Sequence, residues 1–518
     1  MQRLGRAVLA RAFGYAAATY ATFLAVPALA SDLEQWPPSR PPGADDASDG
    51  NGLEPAAPRP GPAEAEDLTA PAEAVTPISA PDAGVLVVNT RAPRRNGLEV
   101  GSRDGQFFVR TPGNELVLLP AARLEIDGFS LMTPDPFASG ETLLIDRARF
   151  DLAGWLGSKV YFDLSADFAY AVSLRHADNF VAVAPWGDRA ILQFGQFDAP
   201  FTLENRTSDR YLDFFDRGAA VRAFAIPENK DQGIMIHGTN LTRNFYYSAA
   251  VLNGEGPAVT GVSGHMDVMA RAWVAPFSFR TPGLLRDVTF GASAWTGDRS
   301  GEGALQGQST QGGYVFLTPI LWWMSGRMDS LALRQQGRLE AGALELNAPI
   351  THRLGARSEW IAKRQPLAAF ETSNATQPSI VGGIALSGWA GYAEIWGWVL
   401  GSDRLLGPVA APGLELPVRY SDLGDARARG GLMLSARVDH IEEALTANAN
   451  ATTAGVGIGS VGQTRLTAFT LGGSYWYTRR ARFTVNYVLN RFDGVTPWLN
   501  GIGGKKEQEV LGRLALAL

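Results

Sequence analysis

None of the 518 residues is cysteine, which excludes disulfides, cysteine-ligated zinc, thiol nucleophiles and a lipidated anchor cysteine. Histidine is scarce as well. His176, His237, His265, His352 and His440 are scattered, with no HExxH or other paired spacing. The reading therefore assigns no metal, no cofactor and no catalytic residue, and the chain is not expected to be an enzyme. Charged residues make up only 19%, the formal net charge is -6, and no long basic run occurs, so there is no case for a nucleic-acid partner. Mean hydropathy is -0.05, which excludes a helical-bundle membrane protein but not a β-barrel, whose alternating faces average out. A GxGxxG pattern at Gly457–Gly462 follows an Asn/Ala/Thr-rich stretch and precedes a strand pattern, so it reads as a loop rather than a dinucleotide fingerprint.

What is present begins at the N-terminus. Arg3, Arg6 and Arg11 flank the start of an Ala-rich apolar stretch that ends in Ala28, Leu29 and Ala30. A charged region, an apolar region and an A-x-A site mark residues 1–30 as a cleaved secretory signal peptide. Residues 31–97 begin with a segment rich in Pro, Ala, Asp and Glu that buries too little apolar surface to offset its ordering entropy. This segment reads as disordered and partly polyproline II, a featureless periplasmic linker rather than a dedicated tether or spacer.

From residue 98 to 518 the pattern has period two, as strands require. Arg147, Arg149 and Asp151 alternate with Ala148, Phe150 and Leu152; a turn at Gly154–Gly157 is expected to follow. Beyond it Tyr161, Asp163, Ser165 and Asp167 alternate with Val160, Phe162, Leu164 and Phe168. Near the end, Arg482, Thr484, Asn486 and Asn490 alternate with Phe483, Val485, Tyr487 and Leu489, and Arg513 alternates with Leu514, Leu516 and Leu518. Aromatic clusters at Trp322–Trp323, Trp396–Trp398 and Tyr475–Tyr477 fit interfacial girdles or an aromatic core.

Alternation alone does not say which face is wet. A soluble sandwich covers its apolar faces with a second sheet, whereas a membrane barrel turns them to lipid around a polar lumen. The secretory signal, a span of roughly 420 residues without a domain break, and a terminal strand favour the barrel. At roughly 26 residues per strand and connection, the span holds about 16 strands. The expected fold is all-β, a closed antiparallel transmembrane β-barrel in the bacterial outer membrane. Two other readings are a secreted β-rich binding or adhesion protein without a pore, and an outer-membrane barrel enzyme.

Gly195–Glu204 (GQFDAPFTLE) resembles the "GQFKxPFSLE" element of the phosphate-selective porins O and P, and Thr207–Arg217 (TSDRYLDFFDR) resembles the "TSSRDLDFIER" that follows it there. Asp146–Phe150, Asp231–Gly238, Tyr247–Gly256, Met269–Phe277, Gly388–Tyr392, Leu414–Ser421, Leu471–Tyr477, Arg482–Tyr487 and Leu511–Leu518 are similar to family segments in the same order. The resemblance implies a 16-stranded, usually trimeric porin, inserted by the barrel-assembly machinery. It also implies a constriction loop around residues 198–230 and an anion path lined by Arg and Lys. Three departures stand out: Asp198 where the family often has Lys, Asp146 where its RRAR element begins with Arg, and Leu518 where the last residue is commonly aromatic.

Arginine suits such a path because its planar fork makes charge-assisted, often bidentate bonds to oxyanions. Alternation puts Arg123, Arg147, Arg149, Arg271, Arg357, Arg419, Arg437, Arg482 and Arg513 on predicted lumen faces. The long connection adds Arg206, Arg210, Arg217 and Arg222. Glu125, Asp163, Asp167, Glu359, Glu415 and Asp439 share the lumen faces, so the arginines can equally serve as paired wall charges. The expected function is a passive channel for small hydrophilic solutes, favouring anions such as phosphate.

Overall fold

The computed structural model describes residues 97–103, 106–132, 140–169, 177–226, 229–257, 266–279, 285–304, 308–311, 315–317, 320–322, 330–371, 380–407, 428–447, 462–494 and 506–517. The expected signal peptide, most of the segment 31–97, Arg419, Glu415, Trp323, Leu518 and the glycine loop before Gly462 lie outside the described residues.

A hairpin of β1 (Glu99–Arg103) and β2 (Gln106–Arg110) leads into β3 (Leu116–Met132). The chain continues through β4 (Gly140–Leu156), β5 (Val160–Asp167), β6 (Asn179–Val183), β7 (Ile191–Asp198), β8 (Lys230–Thr239), β9 (Phe245–Leu252), β10 (Asp267–Val274) and β11 (Thr289–Ala304). Three short strands follow, β12 (Gln308–Ser309), β13 (Val315–Leu317) and β14 (Ile320–Trp322). Seven long ones complete the sheet: β15 (Ser330–Thr351), β16 (Leu354–Glu371), β17 (Ile380–Leu400), β18 (Gly431–Ala447), β19 (Gly462–Thr478), β20 (Ala481–Gly494) and β21 (Lys506–Ala517). One short helix, α1 (Ala219–Phe224), sits in the β7–β8 connection.

Each of β3 to β11 pairs antiparallel with the next, β11 pairs with β15, and β15 to β21 continue the meander. β21 then pairs antiparallel with β3, from Gln508 opposite Met132 to Ala517 opposite Arg123. With β1, β2 and β14 as appendages of the 19-stranded sheet, sixteen strands form the closed ring. Closure gives each of these sixteen strands, as described, a partner on both sides, and in lipid each unpaired backbone group would cost several kcal/mol.

The faces are inverted relative to a soluble protein. Leu143, Phe150, Leu164, Ile234, Val268, Phe290, Leu344, Ile395, Leu471, Phe483 and Leu514 all stand exposed on the outside. Their strand neighbours Arg149, Ser165, Asp267, Glu345, Glu394, Arg482 and Arg513 are buried. Among the described residues no second sheet covers the apolar face, so the soluble sandwich is not the fold.

Two local expectations change. Gly154, Trp155 and Leu156 still belong to β4, and the turn is at Gly157–Lys159, where Gly157 takes φ +60°. Trp155 packs inward against Tyr161 at 5.1 Å, so inward burial extends the strand through the residues that looked like a turn. Trp396 and Trp398 also point inward and pack with Leu405, Met433 and Trp476, so they are not girdle residues. Tyr475 and Tyr477 on either side of buried Trp476 do face outward.

Candidate functional site, the barrel lumen

The connection between β7 and β8, residues 199–229, turns into the barrel. Its entry is fixed by Gly195, whose φ of +129° and close approach to Asn179 (2.2 Å from a Cβ built there to the carbonyl oxygen) admit no side chain. Phe197, Phe201, Val221, Phe224 and Ile226 then form one buried apolar cluster with Met235, Met269, Trp295, Ile361, Ile384, Ile441 and Leu466, all inward-facing wall residues. The loop therefore docks by hydrophobic burial on part of the wall, which the alternation of charges had not suggested. The inner face is apolar where these loop side chains pack and charged elsewhere along it.

Polar ties carry the loop across the lumen. The N–H groups of Leu203 and Glu204 donate to the two oxygens of Glu359 on β16, at 2.7 and 2.8 Å, and the Tyr392 hydroxyl donates to the same carboxylate at 2.8 Å. Arg437 on β18, half a turn around the ring from β7, reaches Glu204 at 3.2 Å and Asp439 at 3.0 Å, and lies over the Phe214 ring at 4.3 Å. Gly218 approaches β18 so closely that an added Cβ would stand 2.6 Å from Asp439 Oδ1. Burial pushes the Glu204 carboxyl above the ordinary range in spite of Arg437 and the Gly218 N–H. Asp216 goes the other way: burial opposes its charge, but Arg222 and Arg217 outweigh that and hold its pKa low.

The described wall arginines expected on lumen faces all point into the lumen, and all but Arg482 meet carboxylates. Arg123, Arg147 and Arg513 surround Glu125 at 3.9, 3.6 and 3.2 Å. Arg147 also pairs with Asp209 of the loop, and Arg513 with Asp127 at 2.6 Å and Asp146 at 2.9 Å. Asp146 reaches this cluster because β4 carries a bulge there: Glu125 faces Arg147 while Ile126 faces Ile145, leaving Asp146 unpaired between them. Arg149 bonds Asp151 and, at 3.1 Å, Asp178. Arg271 bonds Glu345 at 2.9 Å, and Arg357 bonds Asp213 of the loop as well as Glu394 at 3.1 Å.

Arg482 differs. It donates to the carbonyls of Leu212 (2.7 Å) and Asp209 (3.4 Å) and stacks over Trp476 at 4.9 Å, with no carboxylate ion pair among the described residues. Arg210 likewise donates to the Arg479 carbonyl at 3.0 Å and lies over Tyr211 at 5.4 Å. Of the other loop arginines, Arg206 bonds the Asp198 carbonyl and the Tyr246 hydroxyl, and Arg217 bonds the carbonyls of Glu204 and Thr207 and the Asp209 carboxylate. Both therefore brace the loop itself. Arg222 bonds the Thr310 carbonyl and pairs with Asp216 at 3.3 Å.

Sequence reasoning missed Lys230. It stands opposite Asp198 in the β7–β8 register and bonds both Asp198 and Asp178 at 2.6 Å. The exchange of Lys for Asp at position 198 thus leaves a cation at the site, carried by the facing strand. Asp213 and Asp209, loop carboxylates that neutralise wall arginines, were also overlooked; their alternation with Arg206, Arg210 and Arg217 along the loop was the available signal.

No curated protein matches the sequence. Among solved structures, the chain is similar to a loop-deletion mutant of OmpT, an outer membrane protein of Vibrio cholerae, at 11% identity over 78% of this chain and 100% of that one, with a TM-score of 0.44. It is also similar to the outer membrane channel DcaP of Acinetobacter baumannii (8% identity, 79% and 99% covered, TM-score 0.45). A third is an anion-selective porin from Comamonas acidovorans (11%, 78% and 100%, TM-score 0.41). At these identities and scores, nothing about solute or assembly transfers to this chain. The model of the phosphate-selective porin O and P family matches residues 137–312. That span runs from the start of β4 past the inward loop to β12, and over it, about a third of the chain, the sequence is similar to the phosphate-selective porins O and P.

Proposed function

We propose that the protein is a passive outer-membrane channel for small hydrophilic solutes with a mild preference for anions. The observation that carries this reading is the inverted sheet: apolar side chains ring the outside while arginines and carboxylates fill the inside. A lumen of that kind needs water or solute within it, since buried charges without solvation cost several kcal/mol each. The loop of residues 199–229 acts as the constriction, because its bonds to β16, β18 and β20 bring it across the passage.

The preference for anions rests on Arg482 and Arg210, which are held by carbonyls and aromatic rings and make no carboxylate ion pair among the described residues. The other wall arginines, tied to Glu125, Asp127, Asp209, Asp213, Glu345 and Glu394, stiffen the lumen and position the loop. This pairing favours a general pore over a dedicated phosphate filter.

Strands β5, β6, β7, β9 and β10 have eight residues or fewer. A span tilted by about 45° needs about 9–11 residues, so this wall is the face on which a homotrimer would form. Residues 1–30 direct export, and the barrel-assembly machinery inserts the strands.

Planar-bilayer recording under a KCl gradient tests the reading. Arg482→Gln with Arg210→Gln lowers the anion-to-cation permeability ratio while the pore still conducts. An unchanged zero-current potential refutes the role of these two residues, and a folded barrel that passes no KCl refutes the channel.

A further inference from the structure

Between the loop helix α1 and the wall of β11, β15, β16, β17 and β18 lies a cavity of about 90 Å³. Two poles stand out in its polar lining, which also includes Arg222, Glu255, Gln335 and Gln365. One is Lys363, whose ammonium sits 4.8 Å from the Trp295 ring centroid and makes no ion pair among the described residues. The other is Glu443 with Gln308. Both side chains are more than nine-tenths buried, and Gln308 Nε2 donates to Glu443 Oε2 at 3.2 Å. The second oxygen of Glu443 and the amide oxygen of Gln308 accept no hydrogen bond among the described residues, although both residues line the cavity. Phe224 and Leu386 supply apolar surface to the same lining. The nearby Arg299 is already clasped by Asp267, at 2.6 Å for one of its bonds.

We propose that this cavity is a binding site for a small zwitterion with an apolar side chain, such as an α-amino acid, on its way through the pore. The carboxylate of the solute faces Lys363, its ammonium faces the open oxygens of Glu443 and Gln308, and its side chain lies against Phe224 and Leu386. A simple anion would satisfy Lys363 and leave the Glu443 oxygen open. A simple cation would do the reverse. A zwitterion meets both poles at once, and unpaired buried polar groups are costly enough to make that difference selective. The proposal rests on the channel reading for access, and it adds a solute class to it.

The test compares leucine with isocaproate, which lacks the ammonium, and isoamylamine, which lacks the carboxylate. Binding is measured by titration calorimetry on the detergent-folded full chain and, separately, by block of KCl current in planar bilayers. Leucine is expected to bind and block at about tenfold lower concentration than either analogue. Glu443→Gln brings leucine to the level of isocaproate, and Lys363→Met brings it to the level of isoamylamine. Equal affinity of the three probes for the unaltered protein overturns the site, as does isocaproate binding as tightly as leucine. KCl current without leucine binding removes the site and keeps the channel; leucine binding without current keeps the site and removes the channel.

Discussion

Replacing Glu359 by alanine should release the inward loop without opening the barrel. The buried carboxylate accepts three hydrogen bonds, from Leu203 N–H, Glu204 N–H and the Tyr392 hydroxyl, at 2.7, 2.8 and 2.8 Å. A buried donor left without an acceptor costs about 1–3 kcal/mol. Three such donors, with partial recovery from lumen water, place the loss at about 3–5 kcal/mol. That loss falls on loop docking, because the backbone of Glu359 keeps its register with Glu345 on β15 and Tyr392 on β17. Tyr392→Phe removes one of the three bonds and serves as the milder step. Single-channel recording reads the result: Glu359→Ala raises conductance and current noise, Tyr392→Phe does so less, and heat-modifiable gel mobility persists in both. Unchanged conductance and noise in Glu359→Ala would refute both the anchoring and the loop's place as the constriction.

Three further outcomes are expected. Phe150→Arg, on the exposed outer face of β4, destabilises the barrel by about 2–4 kcal/mol for a site near the bilayer midplane; refolding titrations in lipid check it, and full tolerance would mean that the faces are reversed. Gly195→Ala forces a side chain against the Asn179 carbonyl at a φ of +129°, so it lowers the yield of folded barrel on gels, while Gly473→Ala, whose added Cβ meets only the distal Leu434 side chain at 3.6 Å, leaves it unchanged. The raised pKa of Glu204 means that the folded state takes up this proton more readily than the unfolded chain. Its stabilising contribution is greatest below the unfolded value and is lost as pH rises from there through the folded one, so loop release by urea becomes easier over that window; Glu204→Gln should abolish this step, and a step that survives in the variant would exclude Glu204 as its source.

The barrel was legible because lipid and water impose a strict alternation. Arg147, Arg149 and Asp151 against Phe150, or Arg513 against Leu514, declare opposite faces whatever the neighbours are. The strand count followed from length alone, and the inward loop from its resemblance to a known element. What the loop touches was less legible. Ile361, Ile384 and Ile441 face inward because Phe201, Val221 and Phe224 cover them, a partnership between residues far apart in sequence. The bulge that turns Asp146 toward Arg513 has no local turn signal, and Trp396 and Trp398 carry the same residue types whether they meet a membrane interface or a packed barrel mouth. Arginine positions were readable, but their charge balance was not, because Asp209 and Asp213 reach the wall only after the loop has folded.

The most direct test of the inverted sheet uses the absence of cysteine from the chain. Phe150 and Asp151 are neighbours on β4, the first exposed outward and the second bonded to Arg149 inside. In the lipid-reconstituted protein, Asp151→Cys should react with a charged, water-soluble thiosulfonate and change the pore current as it does so. Phe150→Cys should resist that reagent and react with a lipid-soluble maleimide. The opposite pattern, with position 150 open to the charged reagent and position 151 closed to it, would contradict a wet lumen and a lipid-facing exterior.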